Sequence, residues 1–209
     1  MTEYTFTRKR DGSYQVDSYE GISPVLDIPS QFDGHPVTSI ADNAFSWSDS
    51  IKQVIIPDSV TQIGEAAFSW CEGLKEISIP DSVKVIGEWA FIGCMSLRKI
   101  RLPEGLKKIN YSTFQSCTSL TTVEMPDSVK LIGPEAFSEC KNLNSIYLSA
   151  SLNTIGDNAF SGCESLVSIN IPDHLTEFGD HVFSGCTMLS SFSISPSNII
   201  PSLSYSFTL

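Results

Sequence analysis

Phenylalanine recurs at a fixed interval along most of this chain, and no other feature of the sequence constrains the fold as strongly. The interval is 23 residues, and it is kept without a slip at Phe45, Phe68, Phe91, Phe114, Phe137, Phe160 and Phe183. Cysteine keeps the same interval at Cys71, Cys94, Cys117, Cys140, Cys163 and Cys186. A constant period of this length indicates a solenoid, in which each copy is one unit stacked on the unit before it. The sequence therefore predicts seven coils.

Each copy contains a short apolar alternation that ends at proline. In one copy Ile100 and Leu102 precede Pro103, and the general pattern reads L-x-x-I-x-I-P. Alternation with a period of two predicts a short strand, and proline ends it because proline has no N–H to donate to a neighbouring strand. Two further apolar positions, Leu106 and Ile109 in this copy, predict a return segment that crosses the core.

The predicted corner after the return segment is marked by glycine. The residues of this column are Gly64, Gly87, Asn110, Gly133, Gly156 and Gly179. Glycine with an asparagine substitute predicts a left-handed backbone turn. The motif that follows, G-[E/D]-x-A-F-x-x-C-x-x-L, spaces its apolar residues three apart and predicts a short helical turn. Acidic residues such as Glu65 and Asp157 are then expected at the positive end of that turn.

The complete pattern, L-x-x-I-x-I-P-x-x-V-x-x-I-G-x-x-A-F-x-x-C, resembles the BspA-like branch of the leucine-rich repeat family over residues 25–196. The resemblance implies a leucine-rich-repeat solenoid of the α/β type, with short parallel strands on the concave side and short helical turns on the convex side. It also implies a secreted or surface-displayed bacterial module that binds host proteins, matrix proteins or other cells. The alternative is an intracellular scaffold or regulatory repeat protein, which is favoured by the lack of a recognisable export signal in MTEYTFTRKRDGSY.

The two ends of the chain depart from the repeat. Residues 1–24 are predicted to form an N-terminal β-hairpin cap, because Asp11-Gly12 stands between two β-like runs. The first repeat also contains the extra residues QFDGH, which are predicted to form a loop. At the other end, residues 197–209 are predicted to form a strand or tail that closes the open core. Its alternating apolar residues are Leu203, Tyr205, Phe207 and Leu209.

The charge balance and the missing motifs narrow the classes of function. With 24 acidic and 13 basic residues the net charge is −11, which makes nucleic acid an unfavourable partner. The sequence contains no GxSxG, GxGxxG, Walker or HExxH motif, so we expect no catalysis and no cofactor. No run of 18 apolar residues occurs, so we expect no insertion into a membrane.

The cysteines are predicted to be reduced thiols. Their even number follows from the number of copies and does not indicate disulfide pairs. Side chains stacked in register point in parallel, which is a poor geometry for a disulfide. We therefore expect all six to act as small buried hydrophobic groups. No CxxC pair occurs, so no zinc site is expected.

An acidic column follows the strands of successive copies. Its members are Asp58, Asp81, Glu104, Asp127 and Asp173. Stacked carboxylates repel one another, so neighbouring amides, cations or solvent must relieve them. A turn or capping role is predicted, and lysines three residues further on, such as Lys84 and Lys107, could add neutralisation. The alternative is a calcium ladder in a cation-stabilised structural array.

Residues on the strands that alternate with the buried ones are predicted to form a concave binding surface. Basic residues gather in its middle, which makes it a candidate site for an acidic protein loop or a glycan. The candidate residues are Lys75, Arg98, Lys99, Arg101, Glu124 and Tyr147. The alternative interpretation is plain solvation of a charged surface.

Exposed aromatic residues are predicted on the convex side. Trp47 and Trp70 each stand two residues after a repeat phenylalanine, and Trp89 stands two residues before one, with Ile92 nearby. A cluster of exposed aromatic side chains favours a contact surface for protein or sugar, or a surface for weak self-association. The alternative is that these residues pack under the N-terminal cap.

Overall fold

Every coil of the predicted solenoid is present in the computed structural model, which describes residues 3–194. Each coil consists of two short strands and one turn segment. The strands are β1 (Tyr4–Arg8), β2 (Tyr14–Tyr19), β3 (Val25–Asp27), β4 (Gln31–Phe32), β5 (His35–Ile40), β6 (Gln53–Ile55), β7 (Gln62–Ile63), β8 (Glu76–Ser78), β9 (Val85–Ile86), β10 (Lys99–Arg101), β11 (Lys108–Ile109), β12 (Thr122–Glu124), β13 (Leu131–Ile132), β14 (Ser145–Ile146), β15 (Thr154–Ile155), β16 (Ser168–Ile171), β17 (Glu177–Phe178) and β18 (Ser191–Ile194). The C-terminal strand predicted at Leu203, Tyr205, Phe207 and Leu209 lies outside the described residues.

The first strand of each coil stacks in parallel on its counterpart in the next coil. Gln53 lies opposite Glu76, and Lys99 lies opposite Thr122, so the register follows the sequence repeat. Hydrogen bonds join these strands in three groups, β3-β6-β8, β10-β12 and β14-β16-β18. We call the solvent-facing surface of this stack the strand face; it contains the residues that were predicted to be concave.

The return segments are also strands, and they form a second parallel stack. Ile63 lies opposite Ile86, and Ile132 lies opposite Ile155. The stack consists of two hydrogen-bonded groups, one that includes β2-β5-β7-β9 and one of β11-β13-β15-β17. We call its solvent-facing surface the return face. The sequence predicted a segment that crosses the core here, and the structure shows that this segment is a second sheet.

The third side of each coil is a turn segment, and the predicted short helical turns are not confirmed there. No helix occurs in residues 3–194. Each turn segment has two residues of positive φ, as in Ala66 at 51° and Trp70 at 57°, and L-residues in this region interrupt a right-handed helix. Between them Phe68 N–H donates to the carbonyl of Ala90 in the next coil at 2.8 Å. The turn segments are therefore held by bonds between coils as well as by bonds within each segment, such as that from Ser69 N–H to the carbonyl of Ala66 at 3.0 Å.

Acidic side chains of the turn segments also bond between coils. Asp42 Oδ1 accepts the N–H of Glu65 at 2.7 Å, and Asp157 Oδ1 accepts the N–H of Asp180 at 2.8 Å. The prediction that such acids stabilise a helix end is wrong because no helix is present in residues 3–194. These carboxylates instead satisfy backbone donors of the following coil. We call the solvent-facing surface of the turn segments the turn face.

The glycine column also differs from its prediction. None of its glycines has positive φ, and the left-handed residues stand two positions later, as Ala66 does after Gly64. Glycine is required because neighbouring coils approach closely. A Cβ at Gly87 would lie 2.5 Å from the backbone nitrogen of Glu65. The column is therefore selected by contact between backbones and not by a left-handed turn.

The core is a continuous stack of phenylalanine rings. All seven repeat phenylalanines are buried, and neighbouring ring centroids lie 5.2–5.8 Å apart with planes within 24° of parallel. This is the offset stacking that aromatic rings favour. Leucine, isoleucine and valine from the two strand stacks complete the core. Burial of each large side chain contributes about 1.5–3 kcal/mol to folding.

The six cysteines have free, buried thiols, as predicted. Each thiol donates to the carbonyl of a phenylalanine in the preceding coil, with S···O distances of 3.0–3.2 Å. Burial raises the pKa of Cys71 to about 11 and the pKa of Cys117 to about 12. The thiols therefore stay protonated at neutral pH and bond the coils together.

An antiparallel hairpin of β1 and β2 covers the N-terminal end of the return stack, since β2 pairs in parallel with β5. The inserted residues QFDGH form a tight hairpin and not an open loop. Asp33 and Gly34 have φ of 50° and 72°, as the favoured two-residue hairpin turn requires. This turn brings Phe32 onto Phe6 of the first hairpin, with ring centroids 4.2 Å apart. The insertion therefore packs against the hairpin.

Candidate binding surfaces

Two of the four basic residues predicted for the strand face are neutralised by nearby carboxylates. Arg101 bonds both carboxylate oxygens of Asp81, at 3.0 and 3.2 Å, and also contacts Glu104 at 3.4 Å. The hydrogen bond from Arg101 lowers the pKa of Asp81, with a further contribution from the N–H of Glu104. Lys99 pairs with Glu124. These ion pairs are exposed, so their contribution is to position side chains more than to stabilise the fold.

The other two basic residues have no carboxylate partner in the part of the chain that the structure describes. Lys75 and Arg98 line a groove of about 450 Å³ together with Glu76, Ile77, Lys99 and Arg101. No ion pair involves Lys75 or Arg98 among residues 3–194. The structure therefore brings the four predicted basic residues into one groove, and it leaves two of their charges available to a ligand.

Tyr147 lies on the strand face one coil beyond Glu124 and is 71% exposed. It borders a second groove of about 460 Å³ that is lined by Ser145, Ser168, Ser191 and Asn170. The Asn170 side chain accepts the N–H of Leu148 at 2.8 Å and donates to its carbonyl at 3.2 Å. The Asn170 side chain thus takes the place of backbone hydrogen bonds between the two coils just after β14 ends. Tyr147 does not line the basic groove, and this second groove is lined by uncharged residues.

The tryptophans lie on the turn face in two separate pairs. Trp47 and Trp70 stack with ring centroids 5.3 Å apart and planes at 12°, whereas Trp89 meets Tyr111 edge to face. Ile92 joins the two pairs through its backbone: its carbonyl accepts the N–H of Trp70, and its N–H donates to the carbonyl of Trp89. The other face of the Trp70 ring covers the next coil at Gly93. Trp47, at 67% exposed, ends this stack.

Trp47 and Trp70 occupy a backbone position that suits glycine. Their φ angles are 61° and 57°. The equivalent residues Gly93, Gly162 and Gly185 have φ of 71° to 74°, and Ser116 and Glu139 have φ of 59° and 60°. A bulky side chain at positive φ is unfavourable by about 1–2 kcal/mol. The pair is a candidate contact site because its indoles stack and Trp47 is exposed.

Substitution of Trp47 should separate this backbone cost from the role of the ring. We expect Trp47→Gly to be more stable to urea than Trp47→Ala by about 1 kcal/mol, because glycine adopts positive φ freely. Both variants lose the same indole contacts, so each serves as the control for the other. Equal stability of the two variants would contradict the assignment of a strained backbone at this position.

One member of the acidic column, Asp81, is relieved by groups within the protein. The carboxylate of Asp81 accepts the N–H of Glu104 at 2.9 Å in addition to its bonds from Arg101. None of the lysines proposed from sequence forms an ion pair with this column among residues 3–194. Residues 3–194 also contain no group of three or more His, Cys, Asp or Glu placed to hold a metal ion.

No described segment is a helix long and apolar enough to cross a bilayer.

Sequence reasoning missed two features of the surface. One is the structural role of Asn170 on the strand face, and the other is the group of lysines on the return face, at Lys84, Lys107, Lys108 and Lys130. The fixed spacing of Lys84, Lys107 and Lys130 is a usable signal, but the sequence pattern relates it only to the acidic column.

Comparisons with known proteins agree with this architecture. The family model described as a BspA type leucine rich repeat region matches residues 38–131 and 107–208. The crystal structure of the T. pallidum leucine rich repeat protein TpLRR is 35% identical, with a TM-score of 0.85, and the match covers 90% of this chain and 89% of that chain.

A second solved structure is a leucine rich cell surface protein from Faecalibacterium prausnitzii A2-165. It is 24% identical with a TM-score of 0.55, and the match covers 93% of this chain and 76% of that chain. A comparison with curated proteins gives no match. The solenoid, the repeat columns and the matched family model lead to one conclusion: the chain belongs to the BspA-type leucine-rich repeat family.

Proposed function

We propose that this chain is a non-enzymatic recognition module, secreted or displayed on the cell surface, that binds an acidic segment of another protein on its strand face. The observation that carries the proposal is the pair Lys75 and Arg98, which line a groove of about 450 Å³. Neither residue has an ion-pair partner in residues 3–194. Unpaired cations in a groove of an otherwise acidic protein are suited to an acidic ligand.

The groove combines free charges with fixed walls. Arg101 is held by Asp81, and Lys99 is held by Glu124, so these side chains are already ordered before a ligand arrives. Preorganised side chains lose less conformational entropy on binding. Ile77 adds apolar surface to the lining. A ligand with an acidic side chain next to an apolar one would therefore pair the first with Lys75 or Arg98 and pack the second against Ile77.

Two observations support the remaining parts of the proposal. The buried thiols have raised pKa values, about 11 at Cys71, and protonated thiols are poor nucleophiles. The F. prausnitzii neighbour is described as a cell surface protein. Together with membership of the repeat family, these observations favour recognition outside the cell over chemistry within it.

Charge reversal in the groove tests the proposal. We expect the double variant Lys75→Glu and Arg98→Glu to bind an oligoglutamate peptide at least about tenfold more weakly than the unmodified chain, because both free cations become repulsive. Biolayer interferometry at low and at physiological salt would measure this change. Binding by the unmodified chain should also weaken as the salt concentration rises.

A matched variant separates local charge from net charge. Lys107→Glu with Lys130→Glu changes the net charge by the same amount but lies on the return face, so it should retain peptide binding. The proposal is wrong if the groove variant still binds normally. It is equally wrong if the return-face variant loses binding to the same extent. Far-UV circular dichroism of each variant confirms that its strands are intact.

A further inference from the structure

The return face carries four lysines in neighbouring coils, which we call the lysine row: Lys84, Lys107, Lys108 and Lys130. All four side chains are exposed. None forms an ion pair with a carboxylate in the part of the chain that the structure describes. Lys84 Nζ donates to the neutral carbonyl of Asp81 at 2.6 Å, while the carboxylate of Asp81 is held by Arg101. The row therefore keeps its positive charge.

The lysine row concentrates positive charge on neighbouring coils of the return face. The N–H of Lys130 bonds the carbonyl of Lys107 at 2.9 Å, so these residues stand on adjacent rungs of the stack. The backbones of adjacent rungs are about 4.8 Å apart, so one extended polyanion can reach several of these flexible side chains. The equivalent positions in the remaining coils hold uncharged residues, Thr38, Thr61, Asn153 and Thr176.

The return stack is interrupted beside these lysines. Parallel pairing joins β7 to β9 and β11 to β13, but no such pairing joins β9 to β11. The break occurs where asparagine replaces glycine in the corner column, and Asn110 Nδ2 donates to the carbonyl of Ile86 at 2.6 Å. A cleft of about 310 Å³ lies here, lined by Lys84, Val85, Ile86, Lys107, Lys108 and Asn110.

Backbone donors are also left free at this break. In the coil after this break, the N–H of Lys130 donates to the carbonyl of Lys107 at 2.9 Å, and the N–H of Gly133 donates to the carbonyl of Ile109 at 2.7 Å. Among residues 3–194, the equivalent N–H groups of Lys107 and Asn110 make no such bond with the preceding coil. Backbone N–H groups beside lysine ammonium groups are the donors that an oxyanion requires.

From this arrangement we propose that the lysine row and its cleft bind a linear sulfated polysaccharide. One sulfate ester occupies the cleft beside Lys84 and Lys107, and further sulfates of the same chain pair with Lys108 and Lys130. Lysine suits this role because a flexible ammonium group pairs with an oxyanion without demanding a planar, two-point geometry. This site lies on a different face from the groove of the proposed function and does not depend on it.

The chemistry of the surface favours this ligand over other polyanions. Single-stranded nucleic acid binds through aromatic stacking platforms, and the residues that line the cleft include no aromatic side chain. An extended acidic peptide gains affinity by adding a strand at a free sheet edge. The pairing of β11 with β13 and of β13 with β15 leaves no edge along the rest of the row. A flexible chain with regularly spaced sulfates needs neither an aromatic stacking platform nor a free strand edge.

Binding of a short heparin oligosaccharide tests the proposal by isothermal titration calorimetry. We expect the intact chain to bind it, with an affinity that falls as the salt concentration rises. Replacing the four lysines of the row by glutamine should weaken binding by at least about tenfold. The control is replacement of Arg8, Arg10, Lys52 and Lys141 by glutamine, which removes equal charge outside the groove and outside the lysine row and should retain heparin binding.

A third variant, Asn110→Gly, tests the cleft without changing any charge. This substitution introduces the glycine that the other coils have at this position, so β9 and β11 should pair and the cleft should close. Heparin affinity should then fall. Full affinity in Asn110→Gly would overturn the role of the cleft. Loss of binding in the control outside both sites, or equal affinity for desulfated heparin or oligo(dT), would overturn the proposal as a whole. Thermal melts confirm that each variant is folded, and the pair Lys107→Gln and Lys130→Gln serves where the fourfold variant is not folded.

Discussion

Replacement of Phe114 by alanine is expected to lower the free energy of unfolding by about 3–5 kcal/mol. Its ring is fully buried and stacks between Phe91 and Phe137, with centroid distances of 5.4 Å on both sides. Removing it leaves a cavity in the middle of the stack, and the neighbouring coils are held in place by bonds between their backbones. The surrounding residues therefore cannot collapse into the space. Urea denaturation followed by circular dichroism would measure the loss.

Two further variants define what this loss means. Phe114→Leu keeps most of the apolar volume and should cost less than Phe114→Ala. Thr122→Ala removes an exposed side chain of the strand face and should change stability by no more than about 0.5 kcal/mol. If Phe114→Ala were as mild as Thr122→Ala, the phenylalanine stack would not be the central element of the core.

The core was predictable because the repeat fixes the register. When every coil has the same length, equivalent residues meet, and any apolar column becomes an internal row. The constant spacing alone therefore predicts contact between Phe68 and Phe91, and their rings stack within 2° of parallel. The same reasoning places Lys75 and Arg98 side by side on the strand face, where they line one groove.

The corner was misinterpreted because glycine has two structural uses. It tolerates positive φ, and it also permits close contact between backbones. The sequence cannot separate these uses at Gly64 or Gly87. The residues that do have positive φ, such as Ala66, Trp89 and Glu135, follow no composition that indicates a left-handed turn. Here the bonds between coils impose the conformation on whichever residue occupies the position.

The ion pairs and the cleft could not be predicted from the sequence, because they depend on side-chain conformations that the repeat does not specify. Arg101 reaches back to Asp81 in the preceding coil, and this choice depends on rotamers. The sequence identified Asn110 as an equivalent of glycine. The structure shows instead that its side chain replaces a bond between coils and opens the return stack. Departures from the repeat are thus where the structure adds most to the sequence.

Charge is distributed unevenly over the three faces of the solenoid. The basic residues between positions 52 and 130 belong to the strand and return faces, whereas acidic residues such as Glu65, Glu88 and Glu135 belong to the turn face. The protein therefore has two local basic sites although its net charge is −11. Long-range repulsion by the rest of the molecule would select against weakly bound anions, so both proposed sites should favour ligands that make several contacts.

Replacement of Gly87 by alanine is the second substitution with a large expected effect, a loss of about 3 kcal/mol. The new Cβ would lie 2.5 Å from the nitrogen of Glu65 and 2.6 Å from the carbonyl carbon of Gly64. Both atoms belong to the backbone of the preceding coil and cannot rotate away. The coils must separate locally, which weakens the return stack on both sides of the substitution. Urea denaturation measures the effect.

Gly133→Ala is the matched control for this argument. A Cβ at Gly133 would meet backbone atoms of the preceding coil at 2.9–3.1 Å, so a small shift relieves the contact and the cost should be about 1 kcal/mol. Neither glycine has positive φ, so both substitutions gain equally from the lower entropy of the unfolded chain. The difference between the two variants therefore isolates the close approach of the coils. Equal losses would show that contact distance does not select glycine in this column.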